Sequence, residues 1–380
     1  MGDNRRVNAP FVNQPGSVAS PLTARILTAI DAAGGQMSFE RFMSMALYEP
    51  GFGYYAAGTP KFGHFPSQGS DFVTAPELTP LFARALARQV AQALAATGTQ
   101  EVWEFGAGSG ALAAELIAEL DALGQPVARY TIVDLPGELR ARQRERLAAF
   151  GDRVRWAEVL PDRIEGVLLG NEILDAIPVT PLARVGGVWH ERVVVRAGDG
   201  FAWADRPTTL RPPLDVPGEH DYCTEVHPQT EAFVRTIADR LVRGMALFID
   251  YGFPEAEYYH PQRHMGTLVA HRAHQVDDEV LDRPGEKDIT AHVNFTGVAL
   301  AAQDAGLDVI GYTSQGRFLI NLGLVELSQG ADPRERSRMQ MLVHEHEMGE
   351  LFKVIALTPS GGGAGWVPIG FAHGDRTHRL

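Results

Sequence analysis

The sequence predicts an α/β protein whose mostly parallel sheet is covered by helices. Between residues 101 and 171, short apolar stretches alternate with longer stretches in which apolar residues recur every three or four positions. This alternation is typical of a parallel sheet with helical connections. The expected strands are 101–105, 129–134, 153–156 and 166–171, and the expected helices are 110–122 and 137–149.

An N-terminal extension of helices and an aromatic loop precedes this sheet. Residues 1–20 contain several prolines among polar residues and are expected to form a flexible tail. A helical region is expected at 22–47, followed by a loop at 48–76 that is rich in glycine, tyrosine and phenylalanine. Thr79 before Pro80 is the pattern of an N-cap with proline in the first turn, so the first core helix should begin there.

An antiparallel β segment is expected to interrupt the α/β pattern after about Pro178. The stretches 182–185 and 189–195 predict a hairpin that turns at two glycines, with a third strand near 201–204. The α/β pattern resumes with a helix at 229–241 and a strand at 245–251.

This pattern predicts three parts of the chain. They are a flexible tail at 1–20, an N-terminal helical and aromatic-loop region at 21–100, and a core at 101–380 with an insertion at about 180–228.

Composition excludes several classes of function. The 47 acidic residues outnumber the 34 basic ones and leave a net charge of −13, which is unfavourable for binding a phosphate backbone, so no nucleic-acid partner is expected. The single cysteine, Cys223, excludes an intrachain disulfide. No apolar run approaches membrane-spanning length and residues 1–20 lack the apolar segment of a signal peptide, so we expect no membrane span and a cytoplasmic location.

The most informative stretch is the glycine loop after the first predicted strand. Its glycines, Gly106, Gly108 and Gly110, can adopt positive φ and allow a ligand to approach the main chain closely. Ser109 is expected to cap the following helix, whose N-terminus presents unpaired N–H groups to the ligand. The alternative is a glycine turn that only packs the helix on the strand.

The acidic residue before the loop favours S-adenosylmethionine (SAM) over a dinucleotide. Gly106, Gly108 and Ala111 match the dinucleotide pattern G-x-G-x-x-G/A only loosely. Glu104 instead completes E-x-G-x-G-x-G, the pattern of class I SAM methyltransferases, which have no pyrophosphate to neutralise. The ammonium and sulfonium of SAM suit a nearby carboxylate. Asp134, at the end of the second strand, is expected to hydrogen-bond the ribose hydroxyls of either cofactor.

Polar residues also follow the strand at 166–171. Side chains at the carboxyl end of a central strand face the crevice in which α/β sheets bind ligands. Glu172 and Asp175 are spaced one helical turn apart, so both carboxylates could face one cationic group. The alternative is a helix-capping cluster with Asn171 as the cap.

Two further segments carry candidate chemistry. Asp71 and Thr74 lie in the aromatic loop, which could cover the cofactor or line a substrate groove; local turn bonds are the alternative. His292 could act as a general base, with a hydrogen-bonded structural histidine as the alternative. His344 and His346 are interpreted as solvent-facing, so no metal site is predicted.

Together these motifs resemble those of the MidA-like SAM-dependent methyltransferases, whose mitochondrial members assist assembly of respiratory complex I. The resemblance spans about residues 22–357 and its motifs occur in the family's order. They are YEPGFGYY at 48–55, DFVTAPE at 71–77, the glycine loop with Glu104, NExxDAxP at 171–178, WHER at 189–192, DYG at 250–252 and DITAH at 288–292.

The resemblance implies a class I methyltransferase fold, SAM as cofactor and N-methylation of an arginine on a partner protein. The three loop glycines match the family's loop and Asp134 its ribose-binding acid. The chain departs from the family at Ala107, where proline is common, and at Ser109, where arginine is common. The second departure should alter what the outer face of the loop contacts. The family's mitochondrial targeting segment is absent, so we expect a bacterial-type member.

The expected reaction assigns roles to four catalytic candidates. A guanidinium stays protonated at neutral pH and is a poor nucleophile. Glu172 and Asp175 could bind it and orient the reacting nitrogen, with Asn171 and His292 as further candidates. The predicted partners are a protein substrate, such as a respiratory complex subunit, and a second copy of the chain in a homodimer.

Two other functions remain open at this point. One is methylation of a small molecule or peptide, and the other is a SAM-binding assembly factor without turnover. A nicotinamide-dependent oxidoreductase is disfavoured, because no companion site for hydride chemistry is evident.

Overall fold

The computed structural model describes residues 20–57, 74–134, 138–272, 275–363 and 365–380. The strands of these residues are β1 (Gln36–Ser38), β2 (Glu101–Phe105), β3 (Arg129–Val133), β4 (Val154–Ala157), β5 (Ile164–Asn171), β6 (Thr180–Val185), β7 (Val188–Ala197), β8 (Gly200–Pro207), β9 (Tyr222–Val226), β10 (Leu241–Phe253), β11 (Val269–Arg272), β12 (Gln275–Asp277), β13 (Asp288–Thr290), β14 (Val293–Asn294), β15 (Leu307–Ser314) and β16 (Phe352–Pro359).

The helices are α1 (Pro21–Ala32), α2 (Phe39–Tyr48), α3 (Ala75–Leu78), α4 (Pro80–Thr97), α5 (Ala111–Ala122), α6 (Glu138–Arg146), α7 (Pro228–Arg240), α8 (Glu255–Tyr258), α9 (Phe295–Asp304), α10 (Gln315–Asn321), α11 (Leu324–Leu327), α12 (Pro333–Val343) and α13 (Met348–Leu351). As the sequence predicts, Thr79 caps α4, and its hydroxyl accepts a hydrogen bond from the backbone N–H of Leu81. Within the described ranges, no helix combines the length and apolarity needed to cross a bilayer.

The central sheet has the strand order β4-β3-β2-β5-β10-β16-β15. Neighbouring strands from β4 to β10 are parallel, and β16 runs antiparallel to both β10 and β15. The strand order reverses between β2 and β5, and α/β sheets bind ligands in the crevice at such a switch point. The predicted parallel, helix-covered sheet is confirmed.

Both faces of this sheet are buried under helices. Along β5, Val167 and Leu169 pack with α4 and α5, while Leu168 lies in the core formed with α7 and α9. A strand buried on both faces reads as a continuous apolar run, which explains why β5 shows no alternation of polar and apolar residues. The two faces hold the carboxyl ends of β2 and β5 in fixed relation.

The inserted β segment forms a second, antiparallel sheet of order β1-β7-β6-β9, and β8 also pairs with β7, along His190–Ala197. The predicted hairpin is confirmed, and Gly186 and Gly187 form its turn with φ of 54° and 79°. β9 and β1 are not predicted from the sequence. β1 also divides the helical region expected at 22–47, because Met37 pairs with Val194 of β7 and is buried there.

The N-terminal helices pack against the insertion and against the segment that contains β13. The buried residues of α1 and α2 form one core with Val194 of β7, Ile289 of β13 and Ala176 of the turn after β5. α2 therefore ends beside that turn, which brings residues from the start of the chain to the crevice.

Candidate active site

A cavity of about 340 Å³ lies over the carboxyl ends of β2, β3, β4 and β5. Because these strands are parallel neighbours, the loops that follow them meet at one edge of the sheet. The structure brings seven of the predicted site residues to the cavity wall: Thr74, Glu104, Gly106, Gly108, Asp134, Asn171 and Glu172. Gly110, Asp175 and His292 are not among the lining residues. Asp71 lies outside the described residues.

The glycine loop has the geometry that only glycine accepts readily. Gly106, Gly108 and Gly110 have φ of 62°, 53° and 80°. A Cβ atom on Gly106 would lie 2.9 Å from Cγ2 of Ile173, so the loop also packs tightly against the turn after β5. The backbone N–H of Gly106 donates to the carbonyl of Val133 at 3.1 Å, which joins the loop to β3.

Ser109 does not cap α5, so that prediction is wrong. Gly110 occupies the N-cap position, and the Ser109 hydroxyl donates instead to Oε1 of Glu77. Nη1 of Arg146, in α6, donates to Oγ of Ser109 at 2.6 Å and lies 3.6 Å from Oε1 of Glu77. An arginine therefore contacts the outer face of the loop from α6, although the loop itself carries serine.

Asp134 is held beside the glycine loop by Gln143, a fully buried residue of α6. Nε2 of Gln143 donates to Oδ2 of Asp134 at 2.8 Å and to the carbonyl of Gly108 at 2.9 Å. Oε1 of Gln143 accepts from Nε1 of Trp156 at 2.8 Å. Sequence reasoning missed Gln143, because it lies among arginines and glutamates, residue types that usually face solvent.

Glu104 is buried beneath the cavity, and its Oε2 accepts a hydrogen bond from the Tyr130 hydroxyl at 2.8 Å. Burial raises the pKa of this carboxyl to about 8, while the Tyr130 bond opposes the rise. A cation in the cavity favours the ionised carboxylate and lowers that pKa. Glu104 can therefore ionise when an ammonium or sulfonium binds and pair with its positive charge.

The turn after β5 is not the helix that the spacing of Glu172 and Asp175 suggests. Glu172 has φ of 54°, one of two positive values among the described residues other than glycine. Its backbone N–H donates to the carbonyl of Ile249 at 2.9 Å, so β10 holds it out of helical geometry. Strained backbone of this kind is concentrated at functional sites. Asn171 ends β5 and is not a helix cap.

The Glu172 side chain reaches the cavity wall, where two groups orient it. Its Oε1 accepts from Nδ2 of Asn171 at 2.9 Å and from the backbone N–H of Ala75 at 3.4 Å. Burial, reinforced by the charge of Asp175, raises the pKa of Glu172 to about 8. The carboxyl can therefore hold or release a proton near neutral pH.

Asp175 is buried beneath this turn and does not share a cavity face with Glu172. Its Oδ2 accepts from the Tyr251 hydroxyl at 2.5 Å, and burial raises its pKa to about 6. The neighbouring Asp250 accepts the backbone N–H groups of the turn itself. Asp175 and Asp250 thus support the turn that carries Glu172.

His292 packs between two aromatic rings, away from the cavity wall. Its ring is edge-on to Tyr251 at 5.1 Å and stacked on Phe253 at 5.2 Å. Burial lowers its pKa to about 4, so the imidazole is neutral at physiological pH. Its contact with Tyr251 connects it to Asp175 only indirectly.

Tyr48 and Tyr55 line the cavity, but the sequence does not single them out. It predicts only that the loop at 48–76 covers the cofactor or lines a substrate groove. The YEPGFGYY motif was the available signal. Its position at the site follows from the packing of α2.

The sheet order, the glycine loop, the acid after β3 and the polar turn after β5 define an α/β enzyme of the class I methyltransferase type. The family model described as "Putative S-adenosyl-L-methionine-dependent methyltransferase" matches residues 85–313, more than half of the chain. The chain belongs to this family.

Similar proteins extend over nearly the whole chain. A crystal structure from Burkholderia thailandensis with bound S-adenosyl-homocysteine is 47% identical, has a TM-score of 0.90, and covers 96% of this chain and 100% of that chain. "Protein arginine methyltransferase NDUFAF7, mitochondrial" from Danio rerio is 25% identical, over 90% of this chain and 86% of that protein. Its homologue from Caenorhabditis elegans is 26% identical, over 86% and 83%.

These findings establish a SAM-dependent methyltransferase whose cofactor is SAM. The residues present fit this cofactor. Gly106 and Gly108 have no side chain between the cavity and the main chain, and Glu104 and Asp134 supply carboxylates. The expected cytoplasmic location is contradicted, since the curated relatives are named as mitochondrial proteins.

Proposed function

We propose that this methyltransferase N-methylates an arginine side chain on a partner protein. The observation that carries the proposal is the Glu172 carboxyl, held at the cavity wall by a backbone of positive φ. The curated relatives named as protein arginine methyltransferases support it. A respiratory complex subunit is the candidate acceptor implied by the family resemblance.

Glu172 would both bind the acceptor and take its proton. A carboxylate pairs well with a guanidinium, and the positive charge of the acceptor favours the ionised form of Glu172. SAM supplies a methyl group on a positively charged sulfur. As an arginine nitrogen forms its bond to that methyl carbon, the carbon–sulfur bond breaks and the nitrogen loses a proton to Glu172. A base with a pKa near the working pH suits this step.

The other three candidates have supporting roles in this proposal. Asn171 orients the Glu172 carboxyl through its 2.9 Å hydrogen bond. Asp175 positions the turn from below through Tyr251, and His292 packs on that tyrosine. We therefore assign Glu172 as the catalytic residue, and Asn171, Asp175 and His292 as positioning residues.

The test is transfer of radiolabelled methyl from SAM into the lysate of a strain that lacks the gene. The purified protein is compared with Gly108→Val, which should lose SAM binding, and Glu172→Gln, which should keep SAM affinity within a few-fold. Acid hydrolysis of a labelled protein band should yield methylarginine, and both variants should lose the label.

Other results would overturn the proposal. Label confined to the small-molecule fraction would establish a metabolite or peptide methyltransferase. Label on an amino acid other than arginine would change the acceptor. Equal loss of SAM affinity and transfer in Glu172→Gln would place Glu172 in the cofactor site.

A further inference from the structure

Two stacked tyrosines form part of the cavity wall. The rings of Tyr48 and Tyr55 lie 5.7 Å apart between centroids with an interplanar angle of 20°. The Tyr48 hydroxyl donates to the carbonyl of Ala176 at 2.8 Å. The Tyr55 hydroxyl donates to both carboxylate oxygens of Asp288, at 2.8 and 2.9 Å. Because both hydroxyls have partners, the rings are fixed and contribute aromatic surface to the cavity.

These tyrosines belong to the β5 side of the cavity. Tyr48 bonds to Ala176, in the same turn as Glu172, whereas Asp134 and Glu158 follow β3 and β4 on the other side of β2. With neighbouring strands about 4.8 Å apart, the ends of β3 and β5, which lie two strands apart, are separated by roughly 10 Å. The predicted ribose-binding acid and the tyrosine pair therefore lie at different parts of one crevice.

The surroundings of the pair are acidic. Glu172 lines the same cavity, and Asp288 and Asp175 are buried close by. Burial and the charges of Asp288 and Asp175 raise the pKa of both tyrosines, so their phenols stay neutral. Among the described residues that line the cavity, none is lysine, arginine or histidine. At these described lining residues, a positively charged ligand would meet carboxyl groups and aromatic rings.

We propose that Tyr48, Tyr55 and Glu172 form a subsite for a planar guanidinium group. The electron-rich face of an aromatic ring attracts a cation. A guanidinium can also stack flat on the ring while its edge bonds a carboxylate, which a compact ammonium cannot do. This inference rests on the proposed arginine methylation. In it, Tyr48, Tyr55 and Glu172 are the groups that select arginine over lysine.

Binding of small probes to the protein saturated with S-adenosyl-homocysteine tests this subsite without turnover. The probes are n-butylguanidinium, the neutral and similarly shaped n-butylurea, and n-butylammonium, titrated by NMR or calorimetry. We expect n-butylguanidinium to bind about tenfold more tightly than n-butylurea, the difference expected for a desolvated cation–π contact. It should also bind more tightly than n-butylammonium, which cannot stack flat on a ring while its edge bonds a carboxylate.

Paired variants separate the contribution of the aromatic ring to binding from that of the hydroxyl. Tyr48→Phe and Tyr48→Leu both lose the bond to Ala176, but only leucine loses the aromatic face. We expect the leucine variant to lose about five- to tenfold in n-butylguanidinium affinity, and the phenylalanine variant to stay within about twofold. Unchanged affinity for S-adenosyl-homocysteine shows that each variant is folded. Tyr55→Phe and Tyr55→Leu provide a second pair if a Tyr48 variant does not fold.

Equal effects of leucine and phenylalanine would overturn the subsite, as would n-butylurea binding as tightly as n-butylguanidinium, or no measurable binding of n-butylguanidinium. These outcomes leave the labelling test untouched, since methylarginine could still be found in the labelled band. Absence of methylarginine there, with guanidinium selectivity intact, would instead remove the proposed function.

Discussion

Oδ2 of Asp250 accepts a hydrogen bond from the backbone N–H of Leu174 at 2.8 Å, which ties the end of β10 to the turn after β5. The same oxygen accepts from the flanking residues Ile173 and Asp175, at 3.1 and 3.2 Å. One buried carboxylate oxygen thus holds three successive N–H groups of the turn that presents Glu172.

Removing this acceptor should destabilise the turn and the protein. Asp250→Ala leaves three N–H groups, two of them buried, without their partner. A buried donor left unsatisfied costs about 1–3 kcal/mol, so the free energy of unfolding should fall by roughly 3 kcal/mol or more. Asp250→Asn keeps an acceptor oxygen and should lose less. Urea unfolding of the two variants measures the difference, and an alanine variant as stable as the wild type would show that the turn holds itself.

The activity should rise with pH through the ionisation of Glu172. The carboxyl must be ionised to accept a proton, and its pKa is raised to about 8. The positive charge of bound SAM lowers this pKa, so kcat/KM should increase with pH and level off at pH 8 or slightly below. In Glu172→Gln the rate should fall by about 10²- to 10⁴-fold, and this pH dependence should disappear. Steady-state rates between pH 6 and about 9.5 test both. An unchanged profile in the variant would assign the ionisation to another group.

Glu104 should make the ligand-free protein less stable as pH rises. Its pKa is raised from 4.5 to about 8, so between these values the folded state holds a proton that the unfolded state releases. Stability therefore falls through this window. Glu104→Gln cannot ionise and should be the more stable protein above pH 8 by up to a few kcal/mol, at about 1.4 kcal/mol per pKa unit.

Near pH 4.5 the wild type and Glu104→Gln should converge, because the wild-type carboxyl is then protonated in the folded state. Tyr130→Phe removes the hydroxyl donor that lowers the pKa of Glu104. The fall in stability of this variant with rising pH should therefore extend to a higher pH than in the wild type. Thermal unfolding at several pH values measures all three proteins. A wild type whose stability relative to Glu104→Gln does not change with pH would contradict the raised pKa.

The glycine loop should not tolerate even one methyl group at Gly106. Gly106→Ala places a Cβ atom 2.9 Å from Cγ2 of Ile173 in a backbone of φ 62°. Gly124→Ala is the matched control, because Gly124 has φ 72° with nothing within 4 Å of the added atom. Both should lose about 1–2 kcal/mol of stability from positive φ. Only Gly106→Ala should weaken SAM binding, by tenfold or more in calorimetry. Equal SAM affinities would show that the loop adapts.

The cofactor half of the site could be predicted from sequence because its signals are local. The run of β2, glycine loop and α5 is marked by apolar periodicity and by glycines at the positions that need positive φ. Parallel strands end at one edge, so Glu104 and Asp134 meet at the cavity once the sheet is recognised.

The predictions failed where a distant partner competes with local geometry. The spacing of Glu172 and Asp175 fits a helix, but the N–H of Glu172 donates to Ile249 with the Glu172 backbone at positive φ, and Asp250 binds the next three N–H groups in a turn. Ser109 has the chemistry of an N-cap, yet Glu77 and Arg146 engage its hydroxyl.

The sequence by itself determined the class of fold and the cofactor loop, since periodicity and glycine conformation act over a few residues. Only the tertiary structure decided which aromatic residues face the cofactor crevice. Tyr48 meets Ala176 across 128 residues of chain, and Tyr55 meets Asp288 across 233. No local pattern encodes such contacts, because they exist only after α2 has packed on the insertion and on β13.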